Sequence, residues 1–139
     1  MNTTLYVGQK ASFSRTVSET DIVQFAGLSG DFNPIHMDKE YASKTRFGQR
    51  ISHGLLTTSN ISRILGMHLP GPGSVYVNQT LQFVKPVFIG DTITTTAEVL
   101  EIIHDKRIVR LKTECHKQDG KLVLEGEATM LVPNKGESI

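Results

Sequence analysis

The chain has 139 residues, enough for one domain whose core needs no disulfide or metal staple. Hydrophobic residues make up 38% and charged residues 21%, and 15 Lys and Arg against 14 Asp and Glu leave a net charge of +1. That balance excludes the concentrated basic charge of a nucleic-acid or membrane-surface binder, so the expected partner is a small molecule or a second copy of the chain.

No repeat or low-complexity tract divides the chain, and residues 1–139 read as a single domain with a helix-like first half and a strand-like second half. Val7-Gly8-Gln9-Lys10 reads as a turn, followed by a strand from about Ala11. Ser18 is placed to N-cap a helix, with Asp21 three residues on as an acidic variant of the capping box. Ile22, Phe25 and Ala26 then recur at helical spacing, and the helix should end between Leu28 and Gly30. Residues 31–38 are polar and contain Asn33-Pro34, a turn signal. A short helix is predicted over residues 39–45 and irregular chain over 46–52.

Residues 53–68 are the one long helical candidate. They hold no acidic residue, and Arg63 is their only Lys or Arg. A helix that is small and apolar nearly all round is expected to be buried, and Leu69-Pro70-Gly71-Pro72-Gly73 ends it. Beyond this the period becomes two. Val75, Val77, Gln79, Leu81 and Phe83 alternate with polar residues and Tyr76, a Thr-rich strand runs from Thr92 to about Ile103, and two further alternating runs follow over 109–116 and 122–130. Asp105-Lys106 and Asp119-Gly120 sit at their turns, which predicts antiparallel hairpins. One buried helix and a long antiparallel sheet predict an α+β fold with the sheet wrapped round the helix. An open edge strand is best hidden by pairing with a second copy, so a homodimer is expected.

Asp31 and His36 flank the Asn-Pro turn, which can bring a carboxylate and an imidazole together for acid–base work on water. Spacing alone favours the other reading, in which Asp31 caps local backbone and His36 is a surface residue, since Asp and Asn commonly make such turns. His53-Gly54 opens the long helix, where a glycine lets a ligand approach and the helix end offers unpaired N–H groups for the oxygen of a thioester carbonyl. The same glycine also suits close packing of helix against sheet. Ser62, eight residues on, can touch a ligand or bond back to its own helix. His68, His104 and His116 are scattered without metal-ligand spacing, and no phosphate loop, dinucleotide fingerprint or serine elbow is present. Cys115 is the only cysteine, which fits a reducing compartment. The N-terminal residues carry no apolar or Arg-rich targeting pattern, and no stretch approaches a membrane span, so a cytoplasmic location is expected.

The run Phe25-Ala26-Gly27-Leu28-Ser29-Gly30-Asp31-Phe32-Asn33-Pro34-Ile35-His36, followed by His53-Gly54-Leu55-Leu56, resembles the signature of the MaoC-like family, and within it the (R)-specific enoyl-CoA hydratases. The likeness continues through Leu69-Pro70-Gly71, Phe83, Pro86-Val87 and Gly90-Asp91. It implies a hot-dog fold that dimerises through its sheet edges. It implies reversible syn addition of water to a trans-2-enoyl thioester, with Asp31 and His36 as the catalytic pair and Gly54 as the oxyanion-hole residue. Asn33 would shape or bond the pair, and Ser62, Leu65 and Met130 would limit the depth of the acyl pocket. No metal or prosthetic group is implied, because the thioester acidifies its own α-position. Acyl-CoA is the implied ligand. A dehydratase acting on carrier-protein thioesters is the alternative, with Lys44, Arg46, Arg50 and Lys85 as a basic rim for either ligand; a thioesterase and a non-catalytic acyl-thioester-binding subunit rank below it.

Overall fold

The chain's local signals set its first elements. In a computed structural model, which describes residues 4–134, β1 (Lys10–Thr16) runs into α1 (Glu19–Ser29) through a closed capping box. Ser18 Oγ accepts from Asp21 N–H, and Asp21 Oδ2 accepts from Ser18 N–H, so two orphan donors of the helix start are satisfied together. Gly30 ends α1 in the left-handed region, at φ 79°. The expected Asn-Pro turn proves to be the entry to a one-turn helix, α2 (Pro34–Met37): Asn33 is its N-cap, and Pro34 sits where a missing N–H costs nothing. Asp38 then caps α3 (Lys39–Ser43) by accepting from Glu40 and Tyr41 N–H.

The long helix is α4 (Gly54–Met67), capped by His53 and followed by β2 (Val75–Gln79), β3 (Gln82–Phe83), β4 (Thr92–Ile103), a 3-10 turn at His104–Lys106, β5 (Ile108–His116) and β6 (Leu122–Leu131). Among the described residues the strands form one antiparallel sheet in the order β1-β4-β5-β6-β2, with β3 also on β6. No helix among them is long and apolar enough to cross a membrane.

α4 lies across β4, with β1 and β5 beside it. Its Ile61, Ile64 and Leu65 are fully buried in one cluster with Ile93, Ala97, Val99, Val109, Leu111 and Met130 of the sheet. Each Val, Ile, Leu or Met among them contributes about 1.5–3 kcal/mol on leaving water. The expectation of a helix buried all round is corrected. Leu55 is 56% and Met67 63% exposed, and Ser62 and Arg63 also face outward. The sheet supplies a partner for one side of α4 only. The apolar residues of β2 are likewise uncovered, with Val75 55% exposed, because the strand is an edge of the sheet.

The passage from β2 to β3 depends on a missing side chain. Thr80 N–H bonds Glu127 O, Glu127 N–H bonds Thr80 Oγ1, and a Cβ on Gly126 would overlap the Thr80 carbonyl oxygen. Backbone cannot give way there as a flexible side chain would. Gly126→Ala should therefore lower stability by about 1–3 kcal/mol, read from the urea midpoint; an unchanged midpoint would show that the crossing adapts freely.

Candidate active site

The end of α1 and the start of α2 hold the two residues expected to act on water. Ser29 Oγ donates to Phe25 O and accepts from Asp31 N–H, while Asp31 Oδ1 accepts from Asn33 N–H. These short-range bonds commit one carboxylate oxygen to the turn. The other, Oδ2, faces His36 Nε2 at 4.0 Å. That exceeds a direct hydrogen bond, yet two atoms so spaced can both lie about 2.8 Å from a single oxygen between them.

His36 is buried, and Asp31 is half-exposed. His36 Nδ1 lies 2.7 Å from Ile51 O. A carbonyl can only accept, so Nδ1 carries the hydrogen and the lone pair of the neutral ring is on Nε2, towards Asp31. Burial pushes the His36 pKa below its ordinary value, as does the charge of His53; the Ile51 bond and the Asp31 carboxylate oppose them. Arg50 fixes the backbone of this residue. Its Nε donates to His36 O at 2.6 Å and its Nη1 to Glu19 Oε1 at 2.6 Å, so Arg50 is a bracket between α1 and α2 and not part of a basic rim.

His53 completes the group. Its Nε2 donates to Asp31 O at 2.9 Å, and its ring stacks on His36 with centroids 3.9 Å apart at 29°. Phe25 packs against it at 4.8 Å, and Nδ1 is buried with no partner. The next residue, Gly54, begins α4, so no helical carbonyl is available to its N–H, which sits at the positive end of the helix. A Cβ there would fall 2.6 Å from Phe83 Cε1. The close neighbour is thus an aromatic ring of β3, which a side chain at this position would have to displace.

These residues share a cleft of about 730 Å³, walled by Phe25, Phe47, Phe83, Pro86 and Val87, with exposed Arg46 and Lys85 among its lining. Asp31, His36, His53 and Gly54 all line it. Asn33 does not: its side chain accepts from Ile35 N–H and shapes the turn. Ser62, Leu65 and Met130, expected to limit pocket depth, are not brought to this cleft either. Ser62 lies on the exposed side of α4, about 80° round from Gly54 at the regular helical step. Leu65 and Met130 are packed in the core between helix and sheet. Three residues of the site are not marked by the sequence: the His53 ring, Arg50 as a bracket, and Thr57, which lines the cleft. None of these had a spacing signal.

Asp31, His36 and His53 bring ligand-type atoms within 4.8 Å of one another. They fit a metal poorly. An imidazole binds in its own plane, and two face-stacked rings send their lone pairs side by side instead of converging. His53 Nε2 is moreover spent on Asp31 O.

Asp31 and His36 share one cleft with the start of α4, an arrangement suited to acid–base work on a small molecule. The chain matches the MaoC like domain over residues 3–120, and it belongs to that family. It is 51% identical over 129 residues to an (R)-specific enoyl-CoA hydratase of Rhodospirillum rubrum, covering 93% of this chain and 89% of the relative. It is 46% identical to a 3-hydroxybutyryl-CoA dehydratase of Methylorubrum extorquens, covering 96% of this chain and 85% of the relative. The solved structure of an (R)-hydratase from A. caviae involved in PHA biosynthesis superposes with a TM-score of 0.90 at 44% identity, covering 93% of this chain and 98% of that one. The architecture is the hot-dog fold of those hydratases.

The lowered pKa of His36 has a consequence for stability. Below its ordinary pKa of 6.5 the unfolded chain binds a proton at this residue before the folded chain does. The stability linked to His36 is therefore full above that value and is lost as pH falls through the window beneath it. Between about pH 7 and about pH 5 the urea midpoint should drop in the wild type and drop less in His36→Gln; equal slopes would remove His36 as the cause.

Proposed function

We propose that the chain catalyses reversible syn hydration of trans-2-enoyl-CoA to (R)-3-hydroxyacyl-CoA. The observation that carries this reading is Asp31 Oδ2 set 4.0 Å from the lone-pair nitrogen of His36, in one cleft with the free N-terminus of α4. Conjugation with a thioester makes C3 of the enoyl group electrophilic and sends charge to the carbonyl oxygen as water adds. The Gly54 N–H and the dipole of α4 favour that charge. One water oxygen can direct its hydrogens to Asp31 Oδ2 and His36 Nε2. Asp31, the principal base, takes one proton as the oxygen bonds C3. The proton then returns to C2 of the enolate with His36 as shuttle, and the hydroxyl keeps the other hydrogen. Both additions come from the same side because both groups stand on one side of the cleft, which makes the addition syn. These steps call for no metal or prosthetic group, since the thioester stabilises the enolate.

Arg46 and Lys85 line the cleft and would meet the phosphates of coenzyme A, and a second copy of the chain would cover the exposed residues of β2 and α4. The test follows absorbance of the enoyl thioester band with crotonyl-CoA and longer esters, together with chiral analysis of the product. Asp31→Asn and His36→Ala should each lower kcat/KM by about 10²–10⁴-fold, with an (R)-product from the wild type. Wild-type rates in both variants, or an (S)-product, would sink the mechanism. Turnover of carrier-bound esters without turnover of CoA esters would move the substrate to an acyl-carrier protein.

A further inference from the structure

We infer that His53 is a positioning residue for this reaction, tethering Asp31 and His36 to the carbonyl-binding end of α4 through its imidazole. The inference rests on the hydratase reading and adds to it a residue that acts through Asp31 and His36. The bonds that shape the Asp31 turn are local: Ser29 Oγ to Asp31 N–H, and Asp31 Oδ1 to Asn33 N–H. They hold the turn's shape, but they do not fix its distance from α4. The His53 Nε2 bond to Asp31 O spans 22 residues and does fix it. The face of the same ring lies on His36, with Phe25 against it, so rotation of His36 towards α4 is blocked. His53 is also the N-cap of α4, and it is joined directly to Gly54, which lines the same cleft at the helix start. One 2%-exposed side chain therefore sets the separation between the water-handling pair and the oxyanion donor.

The unpartnered Nδ1 separates this role from packing. A buried ring acceptor with no donor costs stability, and an apolar ring of similar shape would escape that cost. For stability alone, phenylalanine would serve at least as well. For position it would not, because it has no hydrogen to give to Asp31 O.

The test compares His53→Phe, which keeps the ring and loses the donor, with His53→Gln, whose amide nitrogen can reach the donor position. Misplacing reacting groups by about 1 Å costs about 10²-fold in rate. His53→Phe should therefore lose about 10²-fold in kcat with KM within about threefold and a thermal midpoint at or above the wild type, and His53→Gln should recover about tenfold of the loss. Amide hydrogen exchange across residues 29–36 should quicken in the Phe variant and not in the Gln variant, a readout independent of turnover. Wild-type kcat in His53→Phe, a Gln variant no better than Phe, or a loss carried by KM and a lowered midpoint would each overturn the tether. Failure of the wild type to hydrate any enoyl-CoA would overturn the hydratase reading instead, leaving the exchange result to decide whether the tether exists.

Discussion

Burial of Ile61, Ile64 and Leu65 against β4 and its neighbours fixes α4 on the sheet, and the site depends on where that seating leaves the helix's first turn. A helix held by its middle presents its N-terminal N–H groups without a carbonyl of its own to meet them. Nothing acidic lies in the first turn of α4 to answer the positive end of the dipole. The end is therefore available for a charge that exists only while a reaction passes through it, which is the condition for lowering a barrier and not merely binding a ground state.

The two imidazoles meet under a shared restriction. Each has one nitrogen on a backbone carbonyl, His36 Nδ1 on Ile51 and His53 Nε2 on Asp31. Carbonyls cannot donate, so both tautomers follow from backbone geometry. Two stacked rings 3.9 Å apart repel when both are protonated, and burial works in the same direction on His36. A neutral His36 with its lone pair directed at Asp31 is thus a product of the packing. The Arg50 bracket keeps it so by holding the His36 carbonyl on one side while Ile51, the next residue, holds the ring on the other.

Signals that act over one turn of chain were legible in the sequence. The capping box at Ser18, the stop at Gly30, the helix opening at Gly54 and the hairpins of β4, β5 and β6 all follow from residues within about five positions of each other. Asp31 and His36 belong to this group, because Asp31 just precedes the Asn33 cap and the single turn of α2 carries His36 back to face it. The Asn-Pro step was read as a turn, and became a helix start because Asn33 caps where Pro34 begins. What escaped depends on contacts across the fold. Ser62 and Leu65 are three apart on one helix, yet one faces out and the other is in the core, a distinction that a helix apolar nearly all round does not reveal. His53 and His36 are 17 positions apart, and only the return of the chain along residues 46–52 stacks them. Arg50 carried the same ambiguity: a cation near a cleft reads as a ligand for phosphate until its hydrogen bonds are counted.

Two missing side chains act in series to complete the cleft. At Gly126 the bare backbone lets Thr80 cross β6 closely enough for its carbonyl to occupy the space of a Cβ. That crossing allows the chain to leave β2 and resume as β3 with Gln82 opposite Glu125 and Phe83 opposite Leu124. The register brings the Phe83 ring to α4, where it fills the space of the second missing Cβ, at Gly54. An alanine at either place would separate the ring from the helix end or push it off line. The ring there forms part of the cleft wall beside the start of α4. The glycine that opens α4 therefore meets one of the readings its sequence position allowed, since it packs tightly against a ring of the sheet.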